Sequence, residues 1–320
     1  MKRSFIRLVV FMGVLGSCYS CDQQTMWQTK LIERSVLRDI PSASGLDRWN
    51  DRYFIIGDNS PWMFETDTSG NILVQHRIGS LEESDIIPKG QKHDFEAMCM
   101  LQWKGEQVLF LFGSGSKWPH RNKGIAFSVS KQKVLETFDL TSLYQGISEK
   151  AKIQLDEFNL EAATTLNGKL YLFNRGENKV IIVKEKEFLK FLNENLELPK
   201  MKVYNIDLPQ IDGIVSGFSG ATSDDENGMI LFTSSVENTS DWVQDGEILG
   251  SFIGVFDPEK LHQHYVPHTA LIEDENSPIR IKVESITIDD NASNEYHCAL
   301  ITDSDGGFSE LLKVRFYKTK

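Results

Sequence analysis

The sequence predicts an all-β protein that folds as a five-bladed β-propeller. The first observation is a repeat, because five short phrases recur at intervals of roughly 50 to 65 residues, somewhat longer than typical blade repeats. The phrases are SASGL (42–46), HDFEAM (93–98), FNLEAA (158–163), GFSGAT (217–222) and KVESIT (282–287). The second observation is that each phrase precedes further runs rich in β-branched and aromatic residues, which end in turn formers. Units of this kind are typical of propeller blades.

The third observation concerns closure of the ring. The fifth unit contains three strand-like runs, and TKLIERSVL (29–37), which precedes the first phrase, supplies a fourth. Pairing the two ends of the chain in one blade removes an exposed sheet edge. Six blades are the alternative, if part of the stretch between Lys179 and Asp212 forms a blade of its own, and a β-sandwich or two β-domains would also fit the runs. Within that stretch EKEFLKFLNENLEL (185–198) predicts a short helical insertion.

The N-terminus is predicted to be a targeting segment. Basic residues precede an apolar stretch, Phe5 to Leu15, that is too short to span a bilayer. The following residues, Leu15-Gly16-Ser17-Cys18, match a bacterial lipobox, although an ordinary signal peptide remains the alternative. We therefore expect a signal peptide at 1–17, lipidation of Cys18, a tether at 18–26 and one propeller domain at 27–320. The lipid would hold the protein on a bacterial membrane, facing the periplasm or the cell exterior.

Composition excludes some partners. The net charge is −12, so nucleic acid is not expected to bind, because phosphate binding needs a basic surface. We expect a monomer. Besides Cys18 the chain has three cysteines, an odd number that excludes complete pairing within the molecule. Cys99 and Cys298 lie in apolar runs and are predicted to be buried free thiols.

Equivalent side chains of the five phrases should meet around the propeller axis. Aligning the phrases predicts a ring made of Ser44, Glu96, Glu161, Ser219 and Glu284. Asp94 and Asn159 stand two residues before a ring glutamate, so each shares its face and lies nearer the mouth of the channel. Close carboxylates must take up protons or bind a cation. Hard oxygen ligands suit calcium or magnesium. The alternative is that the glutamates only brace the blades.

The loops between second and third strands open on the face where the innermost strands begin. They carry the candidate ligand-binding residues Asp58, Lys117, His120, Arg121 and Arg175. The basic ones gather over two neighbouring blades, and fixed arginines suit a small anionic ligand that carries phosphate or carboxylate. Solvated polar loop tips are the alternative interpretation. The chain contains no G-x-S-x-G elbow, P-loop or H-E-x-x-H motif.

HDFEAM and FNLEAA, each followed by a strand and then by GSG or NRG, resemble blades of bacterial β-propeller lipoproteins related to the esterase-like phytase group. The resemblance implies a propeller with an acidic channel, calcium binding and phosphoester hydrolysis. By motif position Glu96, Glu161 and Glu284 match the channel glutamates of that group, and Arg175 matches the arginine after the second strand. Ser44 and Ser219 depart from a fully acidic ring.

Two functions follow from these patterns. The first is a lipid-anchored extracytoplasmic propeller that binds a ligand or protein partner on its loop face, with a cation in the channel. The second is a calcium-assisted hydrolase of a phosphoester or lactone. There Glu161 or Glu96 would be the base for a cation-bound water, and Arg175 with Lys117 would stabilise developing charge. The first is favoured because the sequence contains no recognisable pair of nucleophile and base.

Overall fold

Five antiparallel four-stranded sheets form the five blades that the repeat predicts. The computed structural model describes residues 26–80, 84–117, 121–194, 197–238, 246–275, 277–292, 294–303 and 307–319. In four of the blades the strand order follows the chain from the innermost strand outward, and neighbouring strands in all five blades are antiparallel. Among the described residues, no helix is both long and apolar enough to cross a membrane.

The first three blades each use four consecutive strands. Blade 1 contains Ala43–Trp49, Arg52–Gly57, Trp62–Thr66 and Ile72–Arg77. Blade 2 contains Phe95–Trp103, Glu106–Gly113, Lys123–Ser128 and Lys133–Asp139. Blade 3 contains Leu160–Leu166, Lys169–Asn174, Lys179–Lys184 and Met201–Asn205.

The last two blades bring the ends of the chain together. Blade 4 contains Gly217–Asp224, Met229–Asn238, Glu247–Phe256 and His268–Leu271. Blade 5 contains Lys282–Ala292, Glu295–Asp303, Ser309–Lys318 and, as its outer strand, Trp27–Leu37. The predicted closure by the N-terminal strand is therefore confirmed.

The register of the closing strand fixes where the chain enters the domain. Trp27 pairs with Lys318 and Leu37 pairs with Ser309. Ser309 follows the loop between the second and third strands, so Leu37 lies at the face where the innermost strands begin. We call this face the channel mouth and the opposite one the far face. Trp27 lies at the far face, where its ring stacks on Phe316 at 4.5 Å.

In the described part of the chain, two α-helices lie outside the blades. The helix Glu185–Glu194 occupies most of the predicted insertion, and buried Phe188 and Phe191 fix it against the core. The helix Thr141–Ala151 was not predicted, although buried Leu143 and Ile147 stand four residues apart in it. A short 3₁₀ helix and two small hairpins complete the fold, at Pro258–Lys260, Gln210–Ile211 with Ile214–Val215, and Glu273–Asp274 with Ser277–Pro278.

The hydrophobic core is divided among the gaps between blades. Each of five buried clusters joins two neighbouring blades, and together they close the ring. Blades 3 and 4, for example, meet through Phe173 and Phe218, whose rings contact edge to face at 5.1 Å. Cys99 and Cys298 are buried in two of these clusters as free thiols, which confirms that prediction.

A β-bulge interrupts every innermost strand at the residue that the alignment assigns to the ring around the axis. The bulged residues are Ser44, Glu96, Glu161, Ser219 and Glu284. The next residue is small in all five blades, namely Gly45, Ala97, Ala162, Gly220 and Ser285. A Cβ at Gly220 would lie only 2.6 Å from the Cα of Ser285, so a small residue is needed for the innermost strands to approach each other. The bulges turn the ring residues toward one end of the axis.

Candidate functional site

Ionisable side chains from all blades but the first reach the axis at the channel mouth, and a loop of the first adds one more. We call them the mouth cluster, and its members are Asp58, Lys92, Asp94, Glu96, Arg121, Glu161, Arg175, Glu237, Lys282 and Glu284. A cavity of about 400 Å³ opens among them, and a smaller one of about 120 Å³ adjoins it. Both cavities are lined by Glu96, Glu161 and Lys282.

Asp94 organises the half of the cluster that blades 1 and 2 contribute. Its buried side chain receives the Lys92 ammonium 2.7 Å from Oδ1 and the Arg121 guanidinium at Oδ2. Ser114 also donates to Oδ2, at 2.5 Å. Burial opposes ionisation of this carboxyl, but the charges of Lys92 and Arg121 outweigh it and lower the pKa of Asp94. Lys92 contacts Asp58 as well, so one ammonium joins two carboxylates.

Asp94 has the left-handed backbone conformation, with φ of 56°. Aspartate tolerates this conformation better than most residues, because its short side chain can bond locally. Such strain persists only where the surroundings hold it in place, and it is common at functional sites. The four partners of the Asp94 carboxylate supply that restraint here.

Arg175 organises the other half. Its guanidinium donates to Glu237, and its Nη1 lies 3.9 Å from Oε2 of Glu161. Lys282 continues the chain of charges, with Nζ 3.3 Å from Glu237 and 3.0 Å from Glu284. Gly217 leaves room for the arginine, since a Cβ there would lie 2.6 Å from the Cγ of Arg175. The buried Nη1 of Arg175 has no hydrogen-bond partner among the described residues.

The charges of the mouth cluster do not balance. Six carboxylates, including that of Glu96, face four basic side chains. No hydrogen bond or ion pair within the described part of the chain reaches the side chain of Glu96. Burial, followed by the nearby charge of Asp94, raises the pKa of Glu96 well above its ordinary value. Burial likewise raises the pKa of Glu161, and that of Glu284 to about 8. The cluster therefore favours uptake of protons or of a cation.

One group of oxygens has the spacing of a cation site. Ligand atoms of Asp58, Asp94 and Glu96 all lie within 4.8 Å of one another. Asn159, predicted as a further ligand, instead donates from Nδ2 to Oε1 of Glu161 at 2.5 Å. Lys92 already places its positive charge between Asp58 and Asp94, which leaves Glu96 as the carboxylate most open to an additional cation.

The predicted anion-binding residues separate into three groups. Arg121 and Arg175 are buried and held in ion pairs, so their charges are largely compensated. Lys117 is exposed on its loop and is not a member of the mouth cluster. His120 lies outside the described residues, as does the lipidation candidate Cys18.

Sequence reasoning missed the two lysines of the cluster. Lys282 stands two residues before Glu284, which is the position of Asp94 before Glu96 and of Asn159 before Glu161. The repeat alignment thus contained the signal, and only the search for acidic residues hid it. Lys92 stands two residues before Asp94 and precedes the strand Phe95–Trp103, so the alternation of side chains along a strand does not predict where Lys92 points.

The fold and the mouth cluster define a five-bladed β-propeller with a charged channel mouth. The chain belongs to a family described as "Family of unknown function (DUF6929)", which matches residues 39–316. No curated protein sequence is significantly similar to the chain.

Solved structures with a similar fold include two enzymes. Glutaminyl cyclase from Myxococcus xanthus is 10% identical, with a TM-score of 0.50, over 92% of this chain and 99% of that one. An α-L-arabinanase variant from Cellvibrio cellulosa is also 10% identical, with a TM-score of 0.42, over 89% of this chain and 92% of that one. At such identity the first similarity supports the propeller fold alone.

The raised pKa of Glu284 predicts that stability decreases with pH. The folded protein holds this proton more tightly than the unfolded chain, so the stabilisation is complete below the ordinary pKa of 4.5 and is lost as the pH rises through about 8. Glu284→Gln should flatten the decline of unfolding free energy between these values, by at most about 1.4 kcal/mol per pH unit. Urea unfolding at four pH values measures this slope. Glu136→Gln, at an exposed ion pair, is the matched control, and equal slopes in wild type and Glu284→Gln would contradict the assignment.

Proposed function

We propose that the protein is a lipid-anchored extracytoplasmic propeller that binds a ligand at its channel mouth, with a cation as part of the site. The observation that supports this most directly is the charge imbalance of the mouth cluster, in which Glu96 lines both cavities and has no hydrogen-bond or ion-pair partner among the described residues. A calcium ion fits the chemistry, since it accepts carboxylate oxygens in irregular geometry. Asp58, Asp94 and Glu96 would hold it. Magnesium demands a more regular octahedron and is the second choice.

Lys92 sets the conditions for cation binding. Its ammonium lies against both Asp58 and Asp94, so an ion that enters this group must displace it or share the carboxylates with it. A lysine side chain is flexible enough to turn away, but breaking these ion pairs opposes binding and lowers the affinity. We therefore expect a calcium site that is weaker than one built from carboxylates alone.

The same site can also hold an anionic group. A bound cation would offset the excess negative charge, after which Lys282 and the unpartnered Nη1 of Arg175 become free to attract an anion. The small ligand we propose therefore carries carboxylate or phosphate and binds together with the cation. Exposed Ile86, which lines the larger cavity, and exposed Phe308, beside lining residue Gly307, offer apolar contact to the rest of the ligand or to a protein partner.

Calcium should stabilise the folded protein against heat. At a concentration 100 times its Kd, an ion that binds only the folded state adds about 2.7 kcal/mol to the free energy of unfolding. The melting temperature of the wild-type protein should therefore rise with calcium, and Glu96→Gln should remove most of the rise. Differential scanning calorimetry of protein stripped with EDTA measures the effect.

Glu136→Gln is the control for loss of one surface carboxylate, and it should keep the full response to calcium. Magnesium at the same concentration tests selectivity. A wild-type melting temperature that calcium leaves unchanged would contradict the cation site.

A calcium-assisted hydrolase is the second candidate. It is favoured by the buried Glu161, whose pKa is raised and which lies 3.9 Å from the unpartnered Nη1 of Arg175. Glu161 would take a proton from a water that attacks the phosphorus of a phosphoester or the carbonyl carbon of a lactone. The bond to the leaving oxygen then breaks, and that oxygen receives the proton. Arg175 would stabilise the charge that develops on oxygen. The resemblance to the phytase-like group makes phosphoesters the first substrates to try.

Hydrolysis is tested with a panel of phosphoesters and lactones, assayed with calcium and with EDTA. If the proposal holds, at least one substrate turns over with calcium, and Glu161→Gln lowers kcat by about 100-fold or more, as removal of a general base does. Turnover that is unchanged in Glu161→Gln would exclude this residue as the base. The absence of turnover for the whole panel, in protein that binds calcium, would leave the binding function and reject the hydrolase.

The anchor would orient the channel mouth away from the membrane. Met26 lies at the far face, where it bonds to Thr319. The tether between Cys18 and Met26 spans at most about 29 Å, because an extended chain covers at most about 3.6 Å per residue. A lipid on Cys18 therefore holds the far face, not the mouth, toward the bilayer.

Fluorescence quenching tests this orientation on lipidated protein in liposomes. In a Cys21→Ser background, a probe on Glu226→Cys, in a far-face hairpin, should be quenched by a dye in the bilayer more strongly than one on Ile86→Cys at the mouth. Cys99 and Cys298 are buried and should not label. Equal quenching at the two positions would contradict the orientation. If Cys18→Ala binds liposomes as well as the wild type does, the lipid anchor is contradicted.

A further inference from the structure

A separate cavity, which we call the far-face cavity, lies at the end of the axis opposite the mouth. It has a volume of about 500 Å³, within the range of small-molecule sites. It opens at the far face, where the innermost strands end, and all five blades contribute to it. It shares no lining residue with the two cavities of the mouth.

Hydroxyl groups from three successive blades face this far-face cavity. Thr164, Thr222 and Thr287 stand three residues after Glu161, Ser219 and Glu284, so the same repeat that builds the mouth also places the threonines in register. Thr164 and Thr287 are only 5% and 3% exposed, and no hydrogen bond among the described residues reaches either hydroxyl. Neither oxygen is among the fully enclosed atoms without a partner, so each keeps some surface toward the cavity. Buried polar groups normally find partners, so these hydroxyls are open to a molecule in the cavity.

The charged groups of this cavity are largely engaged. Arg48 donates to the carbonyls of Asn50 and Ile288, and also to that of Asp289. Asp47 occupies the position of the threonines in blade 1, and it accepts the backbone amide of Arg48 at 2.7 Å. Burial raises the pKa of Asp47 to about 7, so this carboxyl takes up a proton, and with it becomes a hydrogen-bond donor, more readily than an ordinary aspartate.

The remaining lining chemistry selects against ions. Glu185 and Asp225 add negative charge, which repels anions. A cation would find no close group of carboxylates here like that of Asp58, Asp94 and Glu96, which is the one such group among the described residues. Neutral donors and acceptors predominate, such as the threonines and Gln102, while Met100 and Ile288 offer apolar contact to C–H groups.

We propose that the far-face cavity is a second binding site, which takes a neutral polyhydroxylated molecule such as a single sugar ring or a polyol. Such a ligand carries alternating hydroxyl and C–H groups, and the open hydroxyls of Thr164, Thr222 and Thr287 match the former. This site is independent of the calcium site proposed for the mouth, because no side chain belongs to both.

Saturation-transfer NMR with the full domain tests the proposal. The probes are D-glucose, D-galactose, myo-inositol and glycerol, with D-glucuronate as the anionic counterpart of glucose. We expect at least one neutral probe to bind, and glucuronate to bind more weakly. Thr164→Val and Thr287→Val keep the side-chain shape but remove one hydroxyl, and each should raise the Kd by about fivefold, the loss expected for one hydrogen bond.

Two controls separate this site from the rest of the molecule. Thr137→Val removes an exposed hydroxyl of an outer strand, and Glu96→Gln alters the mouth, so both should leave the Kd unchanged. Thermal unfolding shows whether each variant is folded. If a threonine variant does not fold, Asp47→Asn is used in its place. The proposal is overturned if no neutral probe binds at up to about 50 mM, far above the millimolar range of weak sites. It is equally overturned if binding is insensitive to the threonine substitutions, or if glucuronate binds as well as glucose.

Discussion

The convergence of five innermost strands on one axis is the constraint on which the rest of this structure depends. Strands that meet so closely leave no room for large side chains, and the layer of Gly45, Ala97, Ala162, Gly220 and Ser285 satisfies that requirement. The bulge just before this layer has a second effect, since in four of the five blades the bulged residue (Ser44, Glu96, Glu161 or Glu284) lines a cavity of the mouth. The bulged residue and the small residue after it are therefore the two positions of the repeat that determine both the close packing of the innermost strands and the side chains at the mouth.

Concentrating carboxylates at such an axis costs free energy, because burial penalises each charge and like charges repel. The protein offsets most of this cost with Lys92, Arg121, Arg175 and Lys282, and in that sense the glutamates do brace neighbouring blades. Bracing alone does not explain Glu96, which has no basic partner of its own in the described part of the chain. A purely structural network would gain by replacing it with a neutral residue. A carboxylate without such a partner beside a cavity is the feature on which the proposed cation site rests.

The sequence predicted those features that depend on local periodicity. Five blades, the closing strand and the helix that begins at Glu185 follow from patterns within short windows, and the structure confirms them. The pairing of Arg175 with Glu237 of the next blade could not be predicted, because it depends on how two blades pack. The position of Lys282 could be predicted, because the alignment places it beside the ring. It was not selected because only acidic and amide side chains were considered as metal ligands. The helix Thr141–Ala151 was missed because it lies in the connection between blades 2 and 3, outside the repeated strands on which the prediction rested.

Different positions of the blade repeat can place different kinds of side chain at the two ends of the propeller axis. Two residues before the bulge the side chain is ionic in two of the five blades, and at the bulge it is acidic in three. One residue later it is small in all five, and three residues later it carries a hydroxyl group in three. Each layer is set by a single position in the blade, so it can change without disturbing the interblade clusters that hold the ring together. The small-residue layer also keeps the two ends apart, since the mouth and far-face cavities have no lining residue in common. The charges at the mouth, where we propose a cation, and the hydroxyl groups at the far face, where we propose a neutral ligand, can therefore vary independently, because distance weakens the influence of one end on the other.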